Sequence, residues 1–167
     1  MRILGIDPGS QIMGWAVIES VDNSYRHVYS GVINSKTIPD IPQRLWFIYK
    51  EVTAIIDTYK PESAAIETVF FSKNQKSSFV LVQTATSAML AALNKGLSVH
   101  EYQPMVIKKA LAGYGRAEKD QVQFMVKRLL NIKESLLLDR SDAMAVAICH
   151  INSAQFKNRL LQDAASY

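Results

Sequence analysis

Four carboxylates in this sequence are placed to do chemistry together: Asp7, Glu67, Asp139 and Asp142. Asp7 and Glu67 each close a short apolar run, Ile3-Leu4-Gly5-Ile6 and Ala64-Ala65-Ile66. Asp139 and Asp142 are three residues apart, which puts both roughly on one face of a helix. Taken singly, each also suits a structural role: Asp7 in a turn before Pro8-Gly9, Glu67 as an exposed strand end, Asp139 and Asp142 as helix caps. Gathered at one place, the four would repel and raise one another's pKa values, a conflict that a divalent cation removes. An oxygen-only donor set suits Mg²⁺, with Mn²⁺ as a substitute. Two such ions about 4 Å apart can clamp a phosphodiester, one activating water and the other stabilising the leaving oxygen. No P-loop lysine motif and no glycine-rich dinucleotide fingerprint points to nucleotide binding instead.

The elements that must carry these acids are legible in outline. Arg2–Asp7, Gly14–Glu19 and Tyr25–Ile33 read as a three-stranded meander reversing at Pro8–Met13 and Ser20–Ser24. Leu45, Ile48, Val52, Ile55, Ile56 and Tyr59 make one apolar face of a helix ended by Pro61. Ala64–Glu67 is a short buried strand. Ser77 or Ser78 caps a long helix through Leu93, with Gly96 as its stop. Leu97–Tyr102 is a fifth strand, followed by helices over Pro104–Leu111 and Glu118–Leu130. A last helix opens at Asp139 or Ser141 and runs through His150. A meander followed by βα units predicts an α/β fold: a mixed five-stranded sheet with helices on both faces. A right-handed crossover sets the Ala64 strand parallel to the first and beside it. Asp7 and Glu67 then leave the same sheet edge, the carboxyl end where such sheets carry their sites.

Composition agrees with one folded domain over residues 1–167, its last ten or so residues a disordered tail. The chain is 49% hydrophobic and 20% charged, too apolar for intrinsic disorder. The longest apolar run is the seven residues Ala143–Cys149, far short of the roughly 20 a bilayer span needs. The apolar stretch before Asp7 is too short for a signal peptide, so the chain reads as cytoplasmic. One cysteine, Cys149, excludes an internal disulfide and a cysteine-rich zinc site. Net charge is +4, unremarkable in itself, but its distribution is not. Lys108–Lys133 holds seven basic residues against two acids, and Thr68–His100 holds Lys73, Lys76 and Lys95 with no acid. Such concentrations suit either a solvated helix face or a polyanion such as nucleic acid.

Four blocks carry a resemblance. Ile3-Leu4-Gly5-Ile6-Asp7-Pro8-Gly9-Ser10, Ala65-Ile66-Glu67-Thr68-Val69-Phe70, Ala117-Glu118-Lys119-Asp120-Gln121-Val122 and Asp139-Arg140-Ser141-Asp142-Ala143 resemble, in order and spacing, the RuvC Holliday-junction resolvases. The match spans about residues 1 to 155. The first block is shared with sugar kinases and related ATPases; the four together are specific. The resemblance implies an RNase H-like fold and a homodimer with one active site per subunit. It implies Mg²⁺-dependent symmetric nicking of four-way DNA junctions in recombination and repair, leaving 5′-phosphate and 3′-hydroxyl ends, beside the RuvA–RuvB branch-migration motor. The family's four acids match Asp7, Glu67, Asp139 and Asp142; its supporting lysines match Lys108 and Lys119; its stacking aromatic matches Phe70. Lys73, Lys76 and Arg116 would then contact backbone phosphates, which position DNA without reading it.

Val82-Gln83-Thr84-Ala85-Thr86-Ser87 departs from the family, which carries Gly and Arg there. Ala88, Met89, Ala92 and Leu93 suit a helix-helix contact in a dimer and suit the core equally. His150, on an apolar helix, reads as a core or surface histidine rather than a ligand. Three other readings compete: an RNase H-like nuclease acting on structured RNA, a sugar-kinase or actin-like ATPase, and a non-catalytic junction-binding module. The ATPases need two such lobes, and this chain has room for one.

Overall fold

The computed structural model describes residues 1–22, 24–69 and 75–164. Strand β1 (Arg2–Asp7) alternates its side chains, as a pleated strand must. Leu4 and Ile6 enter one core layer, while Ile3 enters the other. Gly5 and Asp7 lie on the face of Ile3. Strands β2 (Ile12–Val21) and β3 (Ser24–Asn34) complete an antiparallel meander. Both run longer at their ends than the apolar pattern predicts, because ladder pairing continues from Ile12 opposite Asn34 to Val21 opposite Ser24.

Helix α1 (Ile41–Tyr59) begins where the Asp40 side chain accepts from the Gln43 N–H and Pro42 occupies the first turn, a favourable start. It leads to β4 (Ser63–Glu67), parallel to β1 with Ile6 beside Ile66. Helix α2 (Gln75–Asn94) leads to β5 (Ser98–Tyr102), parallel to β4. The sheet order is β3-β2-β1-β4-β5, so the mixed five-stranded sheet is as expected, with the first and fourth strands adjacent and parallel. Helices α3 (Pro104–Ala112), α4 (Lys119–Leu129) and α5 (Leu138–Ala164) follow.

The sheet separates two core layers. Buried side chains of α1 and α2 pack on Leu4, Ile6, Val17 and Ile66. On the other face, α5 lies against Ile3, Ala16, Ile18 and Ala65, with α3 and α4 outside it. The run Ala143–Cys149 is apolar all round because it is covered on all sides.

Three sequence expectations need correction. Helix α2 opens at Gln75, so neither Ser77 nor Ser78 is its cap. Of the two roles open to Ala88, Met89, Ala92 and Leu93, the core takes the fully buried Ala88 and Ala92, with Met89 packed against it, so a helix-helix contact in a dimer is ruled out for those two alanines, while Leu93 is exposed. Helix α5 continues well past His150 to Ala164, so the expected tail is helical over most of its length. Among the described residues no helix is long and apolar enough to cross a membrane.

Candidate active site

Three of the four acids meet in one cleft. Asp7 ends β1, Glu67 ends β4, and Asp142 lies in the first turns of α5. They line a cavity of about 220 Å³ with Lys108, Lys119, Pro104, Ile107, Val122 and Ala145. Asp139 stands one helical turn earlier, half-buried at the rim, and does not line the cavity.

The approach of α5 depends on two glycines that the charge pattern did not reveal. A Cβ on Gly5 would lie 2.8 Å from the Ala147 nitrogen, 2.9 Å from its Cβ, and closer still to the Ala143 carbonyl oxygen. A Cβ on Gly14, the residue paired with Asp7, would lie 2.7 Å from the Asp139 carbonyl carbon. Helix backbone therefore rests directly on strand backbone, and Asp142 reaches the end of β1. A glycine inside an apolar strand is the available signal, since it marks close backbone approach.

Other missed residues fix the turn after Asp7. The buried Arg44 guanidinium donates to the Ser10 carbonyl (2.9 Å) and the Ile38 carbonyl (2.6 Å). The buried Thr84 hydroxyl reaches the Gly9 carbonyl at 3.1 Å. Thr84 thus gives the atypical Val82–Ser87 segment a local role.

Lys119 sits at the first position of α4, the end of a helix that disfavours positive charge. The turn is held because the Gln121 side chain accepts from the Glu118 N–H at 2.9 Å and from the Tyr114 hydroxyl at 2.5 Å. The cost to Lys119 is offset across the cleft, where its Nζ donates to Asp142 Oδ2 at 3.2 Å. That carboxylate, first among several, raises the Lys119 pKa. Arg116 is exposed on the connection before α4, and Lys108 is half-buried in α3. Phe70 and Lys73 lie outside the described residues, as does the side chain of Lys76.

Burial is the main stress on the acids. It pushes the Asp7 carboxyl up to about 8, with Glu67 and then Asp142 adding to it and Lys119 opposing. Asp139 contributes least to that shift. Glu67 is also raised, by burial and then Asp142, against the pull of Lys119 and Lys108. The cleft thus holds more negative charge than its lysines neutralise. Among the described residues no group of three or more carboxylate, histidine or cysteine side chains stands close enough together to hold a metal ion by itself. The donor set nevertheless fits Mg²⁺, which binds through one or two carboxylates and completes its shell with water and substrate phosphate.

A pH dependence follows. The unfolded chain releases the Asp7 proton near 3.8 and the folded chain holds it to about 8. Between those values the native state binds the extra proton, so this group's contribution to stability falls as pH rises. In EDTA, the urea midpoint of the wild type declines across that window more steeply than that of Asp7→Asn. Parallel curves would show that Asp7 bears no such burden.

The comparisons decide the lineage. The family model described as Crossover junction endodeoxyribonuclease RuvC matches residues 3–150. The chain belongs to the RuvC family. It is 46% identical to the RuvC of Geobacter metallireducens, covering 96% of this chain and 98% of that one. It is 49% identical to the RuvC of Citrifermentans bemidjiense, covering 92% and 94%. Among solved structures it is similar to Thermus thermophilus RuvC in complex with a Holliday junction substrate, with TM-score 0.88, 29% identity and 94% and 96% of the two chains covered. Its fold is RNase H-like and its enzyme class is that of RuvC endodeoxyribonucleases.

Proposed function

We propose that this protein resolves four-way DNA junctions by paired, Mg²⁺-dependent nicks, leaving 5′-phosphate and 3′-hydroxyl ends. The observation that carries the reading is the cleft in which Asp7, Glu67 and Asp142, from three separate elements, face Lys108 and Lys119. Membership of the RuvC family and likeness to a junction-bound relative support the substrate.

Asp7, Glu67 and Asp142 are the carboxylates from which the cation would draw its one or two protein ligands, with Asp139 half-buried one helical turn away. Bound Mg²⁺, or Mn²⁺ in its place, supplies charge neutralisation at the phosphodiester and acidifies the attacking water. Lys119 leaves its bond to Asp142 for the incoming phosphate, and Lys108, which lines the same cavity, supports it. Arg116, Lys73 and Lys76 are proposed as contacts to flanking phosphates, and Phe70 as the ring on which an unstacked base rests, an interaction worth about 1–3 kcal/mol.

A four-way junction has two-fold symmetry, and two matched nicks need two sites related by the same axis. One chain carries one site, so we propose a homodimer. Exposed Phe79, Leu90 and Leu93 on α2 supply apolar surface for it. Cooperation with the RuvA–RuvB motor is proposed from the family alone.

A synthetic mobile junction tests the reading. Incubated with Mg²⁺, it should be cut at symmetric positions in two strands of like polarity; without divalent cation it should stay intact. Equal cutting of plain duplex or structured RNA would instead mark a broader RNase H-like nuclease.

A further inference from the structure

A polar cluster outside the cleft centres on the buried His150. The residue is 5% exposed, deep in α5. Its Nε2 shares a hydrogen bond with Ser63 Oγ (3.1 Å) and its Nδ1 one with the Tyr102 hydroxyl (2.8 Å). The His100 ring lies against it with centroids 4.4 Å apart. A neutral imidazole has one donor and one acceptor, and two hydroxyls satisfy both. Burial, and then His100, push the imidazole down to about 4, so the uncharged form makes these bonds at neutral pH.

The placement of the partners gives the cluster a use. Ser63 begins β4 and Glu67 ends it. His150 and Asp142 lie eight residues apart on α5, which runs the opposite way across that strand. Four strand residues span about 13 Å, and eight helix residues span about 12 Å. A bond at one end of this pair of equal segments therefore sets the separation at the other. Tyr102 adds a second tie: its carbonyl accepts from the Thr68 N–H (2.9 Å) and lies 3.3 Å from the Thr68 hydroxyl, directly after Glu67.

We propose that His150 is a positioning residue for the reaction: by bridging Ser63 and Tyr102 it fixes the slide of α5 along β4, and so how far Asp142 stands from Glu67. This deepens the carboxylate site proposed above and rests on it.

The test uses Ser63→Ala, which removes one oxygen and is safe for folding, beside His150→Leu, His150→Gln and His150→Asn. Two readouts are the single-turnover rate on a synthetic junction at saturating Mg²⁺, and Mn²⁺ binding to the protein alone by calorimetry. Ser63→Ala and His150→Leu should each lose about tenfold in both, the scale of losing a partner that orients a ligand, with junction affinity in EDTA unchanged. His150→Gln, whose amide nitrogen extends to the Nε2 position, should recover most of the rate; the shorter His150→Asn should not. Wild-type rate and Mn²⁺ affinity in Ser63→Ala would overturn the proposal, as would losses among the His150 variants that simply follow their urea midpoints. Asp7→Asn separates the two levels: if it still cleaves, the reading of the carboxylate site has failed; if it is inactive while Ser63→Ala is normal, only the positioning role has.

Discussion

Asp7→Asn is expected to cut junctions at least about 10³-fold more slowly than the wild type, while binding them with unchanged affinity. The substitution leaves Lys108, Lys119 and Arg116 in place, so the positive surface that would meet DNA is preserved. What it removes is a carboxyl oxygen at the end of β1 that can ionise toward a cation in the cleft shared with Glu67 and Asp142. The same change should stabilise the protein in EDTA. At neutral pH the fold must keep a proton on Asp7 that the unfolded chain has released, and an amide avoids that cost, a gain on the order of 2 kcal/mol. Gel-shift titration, single-turnover cleavage and urea denaturation measure the three effects. Weakened binding in a folded, inactive variant would mean that Asp7 shapes the surface rather than the chemistry.

Gly5→Ala should damage the enzyme more broadly. The added methyl group would meet the Ala143 carbonyl and the Ala147 backbone, and neither can turn aside as a side chain could. Helix α5 must lift from β1, which costs about 3 kcal/mol. Asp142 rises with it, and a displacement near 1 Å at a reacting centre can lower the rate about 10²-fold. The loss should therefore appear in the cleavage rate even under conditions where the variant is fully folded. Wild-type stability together with wild-type rate would show that the helix has slack to give.

The fold and the site were legible to different depths. The meander and the pairing of β1 with β4 follow from the sequence because a right-handed crossover leaves little freedom in a βαβ unit, whereas the place of β5 at the sheet edge does not. Helix α5 runs further than expected, to Ala164: Phe156, Leu160 and Leu161 fall at helical spacing but are all exposed, so the segment extends a helix already nucleated by its buried half. Asp139 and Asp142 share a helical face, yet only the second enters the cavity, since the first spends its position on backbone contact with Gly14. That distinction lies in how closely two backbones approach, which residue types alone do not encode. The sequence leaves His150 open between core and surface, and the structure buries it; its partners on β4 and β5 cannot be foreseen from spacing along α5.

The three acids of the cleft come from the first strand, the fourth strand and the final helix. During synthesis the amino-terminal strands emerge and begin to pair long before α5 leaves the ribosome. Until then Asp7 and Glu67 have no third partner, and the groove that α5 will roof lies open to water. A nascent chain that still lacks α5 therefore lacks Asp142 and the assembled cleft. The order of the parts thus leaves the cleft unassembled until its last contributing helix has been made.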